Sequence, residues 1–179
     1  MHWNNSSGGK FNFYFISESA KQFLYSKKYI ITEHDYKFVP ERNPCFYPNL
    51  TVPPELIRHL DFYKNAKVVL VQSGFQKEVF GRSIKLDNVI NFSGNLWSEE
   101  TLNLISFLSK TPKNGKAAIL EQNDNAIKGT DVSIDFCKKV HLKYELLPKT
   151  DHHTFLRNLS QYSTYVFFPR SPETLSRVC

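Results

Sequence analysis

Short apolar runs alternate with amphipathic stretches along the whole chain, and no internal repeat is visible. Phe11 to Ile16 reads as a strand, Ser19 to Lys28 as a helix, and Tyr29 to Thr32 as a second strand ending in Glu33-His34-Asp35. A Pro- and Asn-rich stretch from Pro40 to Pro53 is too irregular for either element. Pro53-Pro54 then predicts the start of a helix with Leu56, Ile57, Leu60 and Tyr63 on one face, proline being suited to a first turn. Lys67 to Gln72 is a near-continuous β-branched run, which predicts a strand buried on both faces. Ser73 predicts the cap of a helix carrying Phe75, Val79 and Phe80. Asn88 to Asn91 predicts a short strand, and Ser93-Gly94-Asn95 a turn.

The rhythm continues beyond Trp97. Ser98 predicts a helix cap with Glu99 and Glu100 in the first turn, where the helix dipole favours them, and with Leu102, Ile105 and Leu108 buried. Lys116 to Leu120 predicts a strand. Thr130 or Asp131 starts a helix in which Val132, Phe136 and Val140 recur every four residues. Tyr144 to Leu147 predicts a strand, Asp151 caps a helix with Phe155, Leu156 and Leu159, and Thr164 to Phe168 is the last strand. Strands alternating with helices give an α/β fold of Rossmann-like parallel sheets with flanking helices. Four strands precede Trp97 and three follow it. A complete half of such a fold has about six, so two incomplete halves are expected.

Composition adds limits. The 179 residues suit one domain or two small ones, and 41% hydrophobic content supports a packed core rather than disorder. The net charge of +6 fits an anionic ligand, and it equally fits a solvated surface. The basic residues, such as Lys27-Lys28 and Lys138-Lys139, are scattered rather than blocked, which argues against nucleic acid as a partner. Cys45, Cys137 and Cys179 lie far apart with no paired spacing, against a zinc site or a disulfide framework and in favour of a reducing compartment. With no apolar core of a signal peptide and no run long enough for a transmembrane segment, a cytoplasmic location is expected.

Three places can carry chemistry. Asn125 to Asp131 lies between a strand and a helix and contains Lys128-Gly129. Glycine lets a backbone approach a diphosphate, lysine supplies a point charge, and the helix start adds N–H groups; a solvated turn is the alternative. This is not a Walker loop, which needs a longer glycine-rich frame. Glu173 follows the last strand and a Pro turn; it can accept hydrogen bonds from sugar hydroxyls or serve as a first-turn acid. His34, at the end of a strand, stands where open α/β sheets meet ligands, or is structural. His152-His153 reads as surface, and no Ser-His-Asp or Cys-His order is present.

Taken in order, these segments resemble the GT-B glycosyltransferases, specifically the retaining nucleotide-sugar enzymes of family 4 (group 1) and their relatives. Phe167-Phe168-Pro169-Arg170-Ser171-Pro172-Glu173-Thr174 is similar to that family's Phe-x-Pro-x-x-x-Glu-Thr turn, and Leu175 to Val178 to the helix that follows it. Ile127-Lys128-Gly129 resembles the family's Lys-Gly, and Tyr29 to Tyr36 resembles its strand ending in a histidine. Ala66 to Gln76 is similar to its interdomain-proximal strand and helix start, and Asn91 to Asn95 to the segment entering the second domain. Glu121-Gln122-Asn123 stands where the family carries a basic residue.

The resemblance implies residues 1–94 as part of an acceptor-side domain and 95–179 as part of a donor-binding domain. It implies hexose transfer from a nucleotide diphosphate sugar to an unknown acceptor. His34 would be the catalytic residue by the transferred sugar, and Lys128, Gly129, Glu173, Thr174 and Leu175 would bind the donor. No metal and no cofactor is implied, since lysine supplies the cation. The family's second glutamate would fall beyond Cys179 and its N-terminal glycine-rich loop before Phe11, so a partial, truncated chain is expected, one that is inactive if the missing parts are required. A non-catalytic nucleotide- or protein-binding module of the same fold is the alternative. Incomplete sheets also lead us to expect self-association through exposed edges.

Overall fold

A computed structural model of the protein describes residues 16–95, 97–121 and 128–173. The expected strand at Phe11 to Ile16 falls almost wholly outside them, and residues 122–127, Thr174 and Leu175 wholly so. The chain forms two compact units, one of residues 16–95 together with Pro172 and Glu173, the other of Trp97–Ser171.

In the first unit, β1 (Ile30–Glu33), β2 (Val68–Val71) and β3 (Val89–Asn91) form a parallel sheet in the order β1-β2-β3. Glu33 pairs with Val71, and Val71 with Asn91, so the three strands end level. The helices are α1 (Glu18–Tyr25), α2 (Leu60–Lys64) and α3 (Gly74–Ser83). Ser17 caps α1 and Ser73 caps α3, each accepting a backbone N–H three residues on. Ser73→Ala should therefore lower the stability of this unit by about 1 kcal/mol, measurable as a shift in its denaturant midpoint.

The core lies on one face of this sheet. Ile31, Val69, Val71 and Val89 meet Phe62, Tyr63, Val79 and Phe80 there. Phe38, Tyr63 and Phe80 pack edge-to-face, with centroids 5.1–6.4 Å apart, the geometry that suits aromatic quadrupoles. The opposite face is open: Ile30 is 60% and Ile90 51% exposed. β2 is thus deeply buried on one face, with Val68 and Leu70 only half-buried on the other, rather than buried on both as its β-branched run suggested.

The expected helix from Pro54 to Tyr63 is broken. Pro54–Leu56 makes a single 3-10 turn, and His59 then takes a left-handed conformation (φ 58°) before α2. The N–H of Arg58 donates to Phe38 O at 2.9 Å, a tertiary bond that a continuous helix would forfeit.

In the second unit, β4 (Ala117–Leu120) is central in a parallel sheet ordered β5-β4-β6, with β5 Tyr144–Leu147 and β6 Thr164–Tyr165. Its helices are α4 (Glu99–Leu108), α5 (Thr130–Lys139) and α6 (His152–Leu159). Ser98 caps α4 and Asp151 caps α6, as expected. Two apolar stripes face differently from expectation. Leu108 is buried, but Leu102 and Ile105 on α4 are exposed. On α5, Val132, Phe136 and Val140 are 36–49% exposed, while Ser133 and Cys137 point inward. Small side chains let the helix approach a strand made of Ala117, Ala118 and Ile119, whose own side chains are fully buried. β6 is shorter than the expected Thr164 to Phe168 because the N–H of Phe168 leaves the ladder for Ser133 Oγ at 3.2 Å.

The architecture is therefore mixed α/β with two small, Rossmann-like parallel sheets. No described helix is long and apolar enough to cross a membrane.

Candidate functional site

Parallel strands deliver the residues that follow them to one edge, and ligands of open α/β sheets bind at that edge. In the first unit it carries His34 and Asp35 after β1, Gln72 and Ser73 after β2, and Ser93 to Asn95 after β3.

Beneath it, Glu33 is fully buried. One of its carboxylate oxygens accepts the backbone N–H groups of Asp35 (3.0 Å) and Lys37 (3.1 Å), folding the chain tightly after β1. The other accepts the Tyr63 hydroxyl, and burial, with the Glu33 charge beside it, pushes that phenol well above its usual range. The equally buried Lys37 ammonium lies 3.9 Å from Glu33. Gln76 ties this strand end to the next: its side-chain N–H donates to Glu33 O (2.9 Å), and its Oε1 accepts the N–H of Gln72 (2.7 Å). Gln72 in turn donates to Asn95 (2.5 Å), linking β2 to the turn after β3.

Above this network lies a charged group. His34 Nδ1 is 2.9 Å from Asp35 Oδ2, and the same oxygen lies 2.6 Å from Arg42 and 3.4 Å from Lys37. Burial pushes the Asp35 carboxyl upward, but the His34 hydrogen bond and the charges of His34, Lys37 and Arg42 outweigh it and hold it at about 2. Asp35 is thus ionised throughout the neutral range.

The second unit places Lys128 and Gly129 at the start of α5. Gly129 is left-handed (φ 59°), and a Cβ there would fall 2.1 Å from Phe168 O. Three bonds hold this turn against the strand exits: Thr130 Oγ1 donates to Leu120 O (2.9 Å), Ser133 Oγ donates to Gly129 O (3.2 Å), and Ser133 Oγ accepts from Phe168 N. Lys128 Nζ stands 5.6 Å from the centre of the Phe167 ring. Arg170, after β6, bonds Asp131 in the first turn of α5 at 2.6 Å, and that contact keeps the Asp131 carboxyl below its usual range against the upward push of burial.

Of the residues singled out from sequence, Lys128 and Gly129 thus share one turn of the second unit, and His34 lies at the sheet edge of the first. Glu173 groups with the first unit, where burial and then the Glu173 charge raise the Tyr36 hydroxyl above its ordinary value. Thr174 and Leu175 lie outside the described residues. Sequence reasoning missed Asp35, Arg42 and Gln76. For Gln76 a signal existed: Ser73-x-x-Gln76 is a capping-box pattern, although here the glutamine side chain reaches Gln72 and Glu33 instead of the cap. Among the described residues no group of three or more His, Cys, Asp or Glu is placed to hold a metal ion.

Compared with known protein families, with curated proteins and with solved structures, the chain matches none.

Proposed function

We propose that the chain is part of a GT-B glycosyltransferase, transferring a hexose from a nucleotide diphosphate sugar to an acceptor. The observation that carries the reading is the Lys128-Gly129 turn: a left-handed glycine packed against Phe168 O that sets a lysine at the start of α5, beside the exit of β6. In the reaction the bond between the anomeric carbon and the β-phosphate oxygen breaks, and the electron pair leaves with the nucleoside diphosphate. The acceptor oxygen bonds the anomeric carbon, and its proton passes to the departing phosphate oxygen. Lys128 stabilises the negative charge on the departing diphosphate, electrostatic stabilisation being typically the largest catalytic contribution in such sites. Within the first unit, the same reading gives Glu173 as an acceptor for sugar hydroxyls and His34 as the residue by the reacting sugar.

Calorimetric titration of the full chain with UDP-glucose, GDP-mannose and ADP-glucose tests this. Binding of one of them is expected, weakened at least about tenfold by Lys128→Ala, the scale of one charge-assisted hydrogen bond. Failure of all three to bind overturns the reading. The open face of the first sheet, with Ile30 and Ile90 exposed, favours a second reading. In it the protein is a binding module of the same fold whose open sheet pairs with another copy or a protein partner. Self-association that Ile90→Asp abolishes, with none of the three donors bound, would select it.

A further inference from the structure

We propose that the edge of the first unit opposite His34 is a contact surface for an anionic lipid membrane. It lies where the chain enters the three parallel strands, and it combines exposed lysines with exposed Phe23 and Ile30. This edge lies one strand length, about 13 Å, from the His34 edge, so its contact is independent of the sugar chemistry.

The fold gathers lysines that are scattered in the sequence. Lys27 and Lys28 stand before β1, Lys64 and Lys67 before β2, and Lys85 before β3. Ile30 pairs with Val68, and Val69 with Val89, so the three entries are level. Backbone bonds fasten them side by side: the Lys67 N–H donates to Tyr29 O (2.9 Å) and the Val69 N–H to Asn88 O (2.9 Å). All five lysines are exposed. Lys64 lies 3.8 Å from Asp61, whereas Lys28, Lys67 and Lys85 have no ion pair among the described residues. Within residues 26–29, 64–67 and 84–88 the sole acid is Asp87. Neighbouring strands stand about 5 Å apart. The ammonium groups thus fall within one or two Debye lengths, about 8 Å each at physiological salt, and act as one field. Helices α1, α2 and α3 also end toward this edge, and the negative end of a helix dipole favours a cation. That accounts for one lysine per helix, not for two beside α1 and two beside α2, and not for apolar side chains left in water.

Those apolar side chains select the partner. Phe23, in the last turn of α1, is 59% exposed, and Lys27 Nζ sits 5.3 Å from the centre of its ring. Ile30 opens β1 with its side chain on the open face. A soluble polyanion satisfies the lysines but leaves Phe23 and Ile30 in water. A bilayer interface takes both. Its acyl boundary accepts the apolar groups, and anionic headgroups meet the ammonium ends of lysine stems that snorkel past them. Contact is peripheral, since no described helix is long and apolar enough to cross a membrane. The His34 edge, at the far end of the strands, stays clear of the bilayer.

Flotation of the full chain with vesicles tests this. Vesicles of phosphatidylserine and phosphatidylcholine in equal parts should carry the protein, and phosphatidylcholine alone should not. Lys28→Gln with Lys67→Gln should weaken binding about 25-fold, at about fivefold for each lysine lost from an anionic surface. Lys138→Gln with Lys139→Gln, an exposed pair on α5 of the second unit, removes the same charge and should change binding less than about twofold. Phe23→Ser should weaken binding about tenfold, the scale of burying one aromatic side chain. All five side chains are exposed, so circular dichroism should show the fold kept in each variant. No binding to the mixed vesicles overturns the proposal without any variant. So does an equal loss for the two lysine pairs, which would make net charge the cause, or an unchanged affinity in Phe23→Ser. An RNA oligonucleotide bound as tightly as the mixed vesicles, with the same dependence on Lys28 and Lys67, overturns the lipid in favour of nucleic acid.

Discussion

Gly129→Ala is expected to destabilise the second unit by about 3–5 kcal/mol, the sum of backbone strain and overpacking. Two independent penalties meet at this residue. The left-handed conformation (φ 59°) disfavours any Cβ, and the Cβ itself would lie 2.1 Å from Phe168 O, far inside van der Waals contact. The clash is with backbone, so no side-chain rotation relieves it. Either the turn or the strand exit must move, breaking the Ser133 bonds to Gly129 and Phe168. Gly115 is the internal control. It is also left-handed (φ 73°), but a methyl group there would meet nothing within 4 Å, so Gly115→Ala should cost only about 1–2 kcal/mol. Denaturant unfolding followed by far-ultraviolet circular dichroism separates the two. Equal losses would show that the close approach to Phe168 contributes nothing.

Glu33→Ala should cost the first unit about 3–5 kcal/mol, the usual effect of stripping one partner from a buried ion pair. The substitution leaves the Lys37 ammonium buried without its Glu33 partner, and removes the acceptor for two backbone N–H groups and for the Tyr63 hydroxyl. Glu33→Gln, which keeps an acceptor oxygen, should lose clearly less. The same denaturant measurement, with the aromatic core's fluorescence as probe, decides the matter. A Glu33→Ala protein as stable as the unaltered one would mean that the turn after β1 is held by packing alone.

The strands were legible because β-branched residues concentrate where the backbone must be extended. Runs such as Val68–Val71 and Val89–Asn91 fall within a residue or so of their sequence-based limits. Caps were legible for the same local reason, since Ser73, Ser98 and Asp151 bond groups three residues away. What depends on distant partners was not. The helix from Pro54 fails at His59 because Arg58 bonds Phe38, twenty residues earlier in the chain. The inward face of α5 is set by the alanines of β4, so the apolar stripe of Val132, Phe136 and Val140 gave the wrong side. Within the candidate sites, Lys128-Gly129 could be read from residue type. The clamp on Asp35 could not, because nothing in the spacing of Asp35 and Arg42 announces that two left-handed residues fold them together.

The Ser133 hydroxyl, which donates to Gly129 O and accepts from Phe168 N, also bears on how a ligand would be held. With the turn after Lys128 fastened to both the helix and the strand exit, its conformational entropy is already lost on folding. A ligand meeting Lys128 and this turn need not order the turn, and its affinity is not reduced by that cost. Loosening this one hydroxyl, as in Ser133→Ala, would show in the entropy of binding before it showed in the enthalpy.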